Sequence, residues 1–218
     1  MVILYLFEKV KDASLSRVEL MEKIAGEVRV CDKCPLWEGR RKAVPGEGDI
    51  NTSIVLVGEA PGYWEDVKGS PFVGAAGKIL NSLLTKIGLP RDHVFITNVV
   101  KCRPPENRAP KPNEIKTCTS LYLNRQIALI QPKIIVTLGN YSTVYIFSKA
   151  GLETEAIKGI TQLRGKVYQT KFMDLPVSVI PMYHPAAVLH NPKYSNALEN
   201  DFELLKTQLQ KLKLIGLR

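Results

Sequence analysis

The sequence predicts an α/β fold built on a parallel sheet with helices on both faces. Four short apolar runs, "SIVLVG" (53–58), "VFITNVV" (94–100), "KIIVTLG" (133–139) and "VSVIPMY" (177–183), are nearly continuous rather than alternating, as strands buried on both faces are. Helical patterns separate them, and strand–helix alternation with right-handed crossovers defines a parallel sheet. Gly, Pro, Asn and His gather just past the runs, in "GEAPG", "KCRPPEN", "GNYS" and "YHPAA". Open parallel sheets bind ligands outside the carboxyl ends of their strands, so a site is expected at that edge.

Each connecting element has its own signature. A helix is expected before Cys31. After the first run, "AAGKILNSLLTKIG" (75–88) puts Ile79, Leu80, Leu83, Leu84 and Ile87 on one face, with Gly88 and Pro90 to stop it. After the second, "NEIKTCTSLYLNRQIALIQP" opens on Asn113 as a cap and closes before Pro132. The third run leads into "YSTVYIFSKAG", and "KVYQTKF" (166–172) reads as a short extra strand. A last helix from about Ser195 carries Leu198, Phe202, Leu205, Leu209 and Leu212 at alternating spacings of 4 and 3. No internal repeat or low-complexity segment interrupts the 218 residues, which suit a single domain, 1–218.

Hydrophobic residues make up 45% and charged residues 23%, an ordinary globular composition. No apolar run approaches the ~20 residues that span a bilayer, and "MVILYLFEKV" lacks the features of a secretory signal. A cytoplasmic protein without membrane attachment is expected. Lys and Arg total 30 against 21 Asp and Glu, a net charge of +9 that favours anionic partners such as nucleic acid, although a lysine-rich solvated surface gives the same balance. Two clusters are placed to reach phosphates: Arg40, Arg41 and Lys42, and the loop residues Lys101, Arg103, Arg108 and Lys111.

That second cluster lies in "KCRPPENRAPKPNEIKTC" (101–118), a stretch with four prolines. Proline fixes φ and removes a backbone donor, so most of it is expected as a stiff irregular loop. Cys102 and Cys118 bracket it, and Cys31 and Cys34 form a C-x2-C pair 67 residues upstream. Four thiolates suit a tetrahedral sulfur site, zinc or an iron–sulfur cluster, and the wide second pair leans toward a cluster.

Singly, the remaining motifs are weak. "VGEAPG" (57–62) is a tight turn after a strand, neither a Walker loop nor a dinucleotide fingerprint. Phe72 in "SPFVGAAG" suits plain packing. Asn98 inside "FITNVV" would be buried unpaired, at a cost of roughly 1–3 kcal/mol, unless something bonds it. His184 in "YHPAAVLHNP" ends the last run.

In order, these motifs and the cysteine spacing resemble the family 4 uracil-DNA glycosylases, the iron–sulfur members of their superfamily, over roughly residues 20 to 212. The resemblance implies a three-layer α/β/α sandwich with a central four-stranded parallel sheet. It also implies a structural 4Fe–4S cluster on Cys31, Cys34, Cys102 and Cys118. The uracil pocket it implies comprises Gly58, Glu59, Ala60, Phe72 as stacking platform, Asn98 as reader of the base edge and His184 on uracil O2. The best-known branch of the superfamily has a water-orienting Asp where this chain has Ala60, so Glu59 and Glu65 are the nearby carboxylates. Glu65 resembles the residue set near uracil C5 to exclude thymine. Arg103, Arg108 and Lys111 would grip phosphates, and Val188 or Leu189 would wedge into the helix. The implied partner is uracil-containing DNA, met by a monomer, with repair or replication proteins as further company. The competing expectation is a zinc-stabilised nucleic-acid binding protein without catalysis.

Overall fold

In the computed structural model, residues 15–152 and 159–214 are described. The opening "MVILYLFEKV", on which the secretory-signal reading rests, lies outside them. The elements follow the chain as α1 (Arg17–Arg29), α2 (Leu36–Gly39), β1 (Glu47–Gly48), β2 (Ile54–Gly58), α3 (Tyr63–Lys68), α4 (Ala75–Lys86), β3 (Phe95–Asn98), α5 (Pro112–Cys118), α6 (Asn124–Ile130) and β4 (Ile134–Leu138). Then come α7 (Asn140–Lys149), α8 (Ile160–Leu163), β5 (Tyr168–Phe172), β6 (Leu175–Met182), α9 (Ala186–His190) and α10 (Tyr194–Lys211).

Among the described residues the sheet has six strands, in the order β1-β3-β2-β4-β6-β5. The four apolar runs form its parallel centre, β3-β2-β4-β6. The expected four-stranded sheet is therefore extended by an antiparallel strand at each edge. β5 is the extra strand read in "KVYQTKF"; its half-exposed alternation belongs to a strand with one wet face. The two-residue β1 is too short to leave any periodic signal. Both strands cover edges that would otherwise present unpaired backbone groups.

Side-chain alternation divides the core in two. Val55, Val57, Phe95, Ile135 and Val179 face a cluster with α1, α6 and α7. Ile54, Leu56, Ile96, Val136 and Ile180 face α4 and α10. This makes the three-layer sandwich. Leu198, Phe202, Leu205 and Leu209 of α10 are buried, as their spacing requires. Ser16 caps α1 by a reciprocal capping box with Glu19.

The proline-rich stretch is irregular over most of its length, as predicted, and the helix expected to open at Asn113 begins at Pro112. Residues 103–111 are irregular apart from one 3₁₀ turn at Pro105–Asn107, but 112–118 are helical. Pro112 sits at the first helical position, where its missing N–H is no loss, and Lys111, not Asn113, is the cap. Past Cys118 the helix widens into a π turn over Thr119–Leu123 before α6 resumes. No helix among the described residues is long and apolar enough to cross a membrane.

Candidate active site and cysteine cavity

Where β2, β3 and β6 end, a cleft of about 480 Å³ opens, lined in part by Glu59, Ala60, Glu65, Phe72, Asn98 and His184. The sheet places these residues together: Gly58 is the last residue of β2, Asn98 the last of β3, and His184 follows β6. The "GEAPG" turn is pinned to the neighbouring strand by Val99 N–H donating to Gly58 O (3.0 Å) and Val100 N–H to Glu59 O (3.1 Å).

Asn98 is 2% exposed, and its Oδ1 is a buried side-chain acceptor with no partner among the described residues. No protein group among the described residues bonds it, so the acceptor is buried unpaired. Gly58 makes the space in front of it, since a Cβ there would run into Asn98 Oδ1 and stand 2.9 Å from the Phe72 ring. Behind Asn98 lies Lys101, expected on the loop surface but actually 1% exposed. Its Nζ donates to Asn98 O (2.9 Å), Gln126 Oε1 (2.8 Å) and Thr97 Oγ1. Burial pushes the ammonium down to about 8.

Phe72 has φ +50°, an uncommon conformation for a bulky residue. Two residues that sequence reasoning passed over hold it there. Arg91 donates to Pro71 O (2.6 Å) and Phe72 O (3.4 Å) while paired with Glu47 (2.7 Å). At Gly77, a Cβ would collide with the Phe72 carbonyl. The Phe72 ring stacks on His184 at 5.5 Å between centroids, 29° between planes.

His184 Nδ1 accepts the Ala186 N–H at 3.1 Å, so the neutral ring carries its proton on Nε2. Burial pushes its pKa down to about 4, against a weaker upward pull from the Glu65 charge. Gly139, at φ +96°, lets the turn after β4 pass this ring: a Cβ would lie 3.3 Å from His184 Cβ. The two carboxylates differ. Glu65 accepts from Val73 N–H (2.8 Å), Gly74 N–H (2.9 Å) and Gly62 N–H (3.2 Å), stapling the Phe72 loop to the first turn. For Glu59, burial raises the pKa.

Around the rim, Arg108 is committed to the buried Glu114 through bonds of 2.9 and 2.7 Å. Arg103 donates to Asn107 Oδ1 (2.8 Å) and lies over the Tyr63 ring. Lys111 is exposed. On α9, Val188 packs against the α4–α10 core while Leu189 is 51% exposed.

The four cysteines are free thiols and line one small cavity with Arg40, Lys101 and Tyr122. Arg40, expected to be available for phosphates, instead donates to Cys31 O, Arg29 O (3.1 Å) and Cys102 Sγ (3.2 Å). Lys101 N–H donates to Cys118 Sγ at 3.3 Å. Burial raises the thiol pKa values of Cys34 and Cys102 and pushes Cys118 up to about 12. Among the described residues no three His, Cys, Asp or Glu side chains converge as one metal ion requires.

A sheet edge carrying these residues matches a known class. The family model described as the uracil DNA glycosylase superfamily matches residues 45–213. The type-4 uracil-DNA glycosylase of Sulfurisphaera tokodaii is 55% identical over 190 residues, 87% of this chain and 84% of that protein. Those of Saccharolobus solfataricus and Archaeoglobus fulgidus are 50% and 46% identical, over 87% and 85% of this chain and 86% and 92% of their own. The chain belongs to the uracil DNA glycosylase superfamily, in its type-4 branch.

Proposed function

We propose that this chain excises uracil from single- and double-stranded DNA, leaving an abasic site. The observation that carries the reading is the orphaned acceptor Asn98 Oδ1, buried at a cleft that the stacked Phe72 ring and His184 imidazole also line. A buried acceptor without a partner is costly unless a ligand supplies the donor. Uracil N3–H is such a donor, and the Asn98 amide N–H would meet uracil O4. Cytosine reverses both polarities, and a site built for hydrogen bonds rejects a mispaired ligand by several orders of magnitude.

Flipping the nucleotide costs a few kcal/mol of lost stacking. The Phe72 face returns part of it, and exposed Leu189 would fill the gap in the helix. The bond from C1′ to N1 breaks, its electron pair leaves with uracil, and the oxygen of water bonds to C1′; the proton of that water passes to the released base or to solvent. His184 Nε2–H, aimed at uracil O2, stabilises charge that develops only as the bond breaks. Glu59 would hold the water, since the Glu65 carboxylate is occupied by three backbone donors. Arg103 and Lys111 would meet phosphates; Arg108 serves mainly to hold the loop.

Cys31, Cys34, Cys102 and Cys118 fit the ligand set of a 4Fe–4S cluster. Four thiols spread around one cavity, with N–H donors to two of the sulfurs, suit a polynuclear centre. The wide second cysteine pair favours such a centre over zinc, and the non-catalytic zinc reading would leave the orphaned acceptor of Asn98 unexplained. When bound, the cluster would cross-link the feet of the 102–118 segment.

The test uses purified protein with single-stranded and duplex oligonucleotides that each contain one uracil. Abasic sites should appear in both, with none in matched strands carrying cytosine or thymine. Iron analysis of the same protein should give about four irons per chain. Uracil left intact in both substrates would overturn the proposal, and one zinc without iron would overturn the cluster.

A further inference from the structure

We infer that the surface formed by Tyr63, Trp64, Arg41 and Arg103 is a second DNA subsite, which takes an unpaired nucleotide beside the flipped one. The inference rests on the proposed action on DNA, and it concerns residues outside the cleft. Tyr63 and Trp64 follow directly on Gly62, a cleft-lining residue, yet they are 43% and 54% exposed. Two adjacent large aromatics at the start of a six-residue helix have no packing reason to face water. They meet edge to face at 5.2 Å. Trp64 is steadied from beneath by Gly74, where a Cβ would lie 3.4 Å from the indole.

The guanidinium groups beside them are not spent in ion pairs, although the Arg41 backbone N–H donates to buried Asp66 Oδ1 at 2.9 Å. Arg91, Arg108, Arg125 and Arg164 are paired with carboxylates, and Arg40 is bound to carbonyls and a sulfur. By contrast Arg41 and Arg103 have no ion pair among the described residues. Each guanidinium lies 5.2 Å from the Tyr63 ring centroid, and Arg41 also donates to Tyr63 Oη at 3.4 Å. The Tyr63 ring thus holds two positive charges in place beside an open indole face. A flat base and a phosphate complement this surface. Base–aromatic stacking tolerates any base, and the guanidinium groups supply the charge. A paired base cannot offer its face, so the subsite favours single strands.

The probe is a labelled oligothymidine without uracil, which reports on the platform whether or not the chain excises uracil. Stacking of one base is worth ~1–3 kcal/mol, so Trp64→Ala should weaken this strand by about 5- to 150-fold, with Trp64→Phe retaining most of the affinity. A uracil-free duplex should lose less than about 2-fold, and single-turnover uracil excision at saturating protein should be unchanged. Equal losses on single strand and duplex, or no loss on either, would overturn the subsite. Trp64→Phe as weak as Trp64→Ala would overturn it too, since a ring would then not be what binds. If the chain excises no uracil yet shows this pattern, the platform stands and the catalytic reading falls.

Discussion

Gly58 occupies the one position where an added carbon would fill the space in front of Asn98. Gly58→Ala should therefore displace Asn98 and Phe72 and lower the melting temperature somewhat. Excision should fall on the order of 100-fold even where the protein is fully folded, the scale that follows from displacing a bound group by about 1 Å. Thermal denaturation beside a single-turnover assay separates the two effects. His184 makes a prediction in pH. Its proton leaves near 6.5 in the unfolded chain but at about 4 in the folded one. Between those values the unfolded state binds more protons, so this residue's contribution to stability is full above about 6.5 and falls as pH drops toward 4. Excision should show no histidine inflection near 6.5. An NMR titration placing His184 near its ordinary value would contradict the neutral-donor role.

At the scale of elements, the 102–118 segment separates two arginines that look alike in sequence. Arg108 neutralises Glu114, whose side chain is 1% exposed, so Arg108→Ala strands a buried carboxylate and should lower the melting temperature. Arg103→Ala should barely change the melting temperature but should weaken DNA of every sequence alike. Chemical denaturation and DNA titration of both variants check this. The sequence announced the central strands and the long helices, because continuous apolar runs and 3.6-residue periodicity leave local marks. Strand-end position marks only the edge of the site, and the family resemblance names the cleft residues. It could not reveal which cations are spent internally. Lys101 and Arg40 look like surface charges until the fold brings Asn98, Gln126 and Cys102 to them. Arg91 and Gly77 act on Phe72 across loops, and the edge strand β1 is two residues long. Arg91, Lys101 and Arg40 depend on partners distant in the chain, Glu47, Gln126 and Cys102, while the contact of Gly77 with Phe72 is local but leaves no periodic mark.

For the whole molecule, a net charge of +9 with Arg41, Arg103 and Lys111 near one edge of the sheet predicts salt-dependent binding. Affinity should fall log-linearly with salt, by roughly 0.9 logarithmic units per phosphate contacted on duplex DNA, and Lys111→Ala should flatten that slope. Indifference to salt would remove the phosphate role. A cluster held by the four cysteines would tie the loop after α1 to both feet of the 102–118 segment, so Cys102→Ser should lose iron and open residues 103–111 to proteolysis. The central claim is that one cleft reads uracil through Asn98 and expels it through His184. Single-turnover excision by Asn98→Ala and His184→Ala, at protein concentrations that saturate the substrate, tests it most directly. Each variant should keep its DNA affinity and slow by roughly 100-fold or more, as for loss of one donor to a developing anion; both variants excising uracil at the wild-type rate would contradict it.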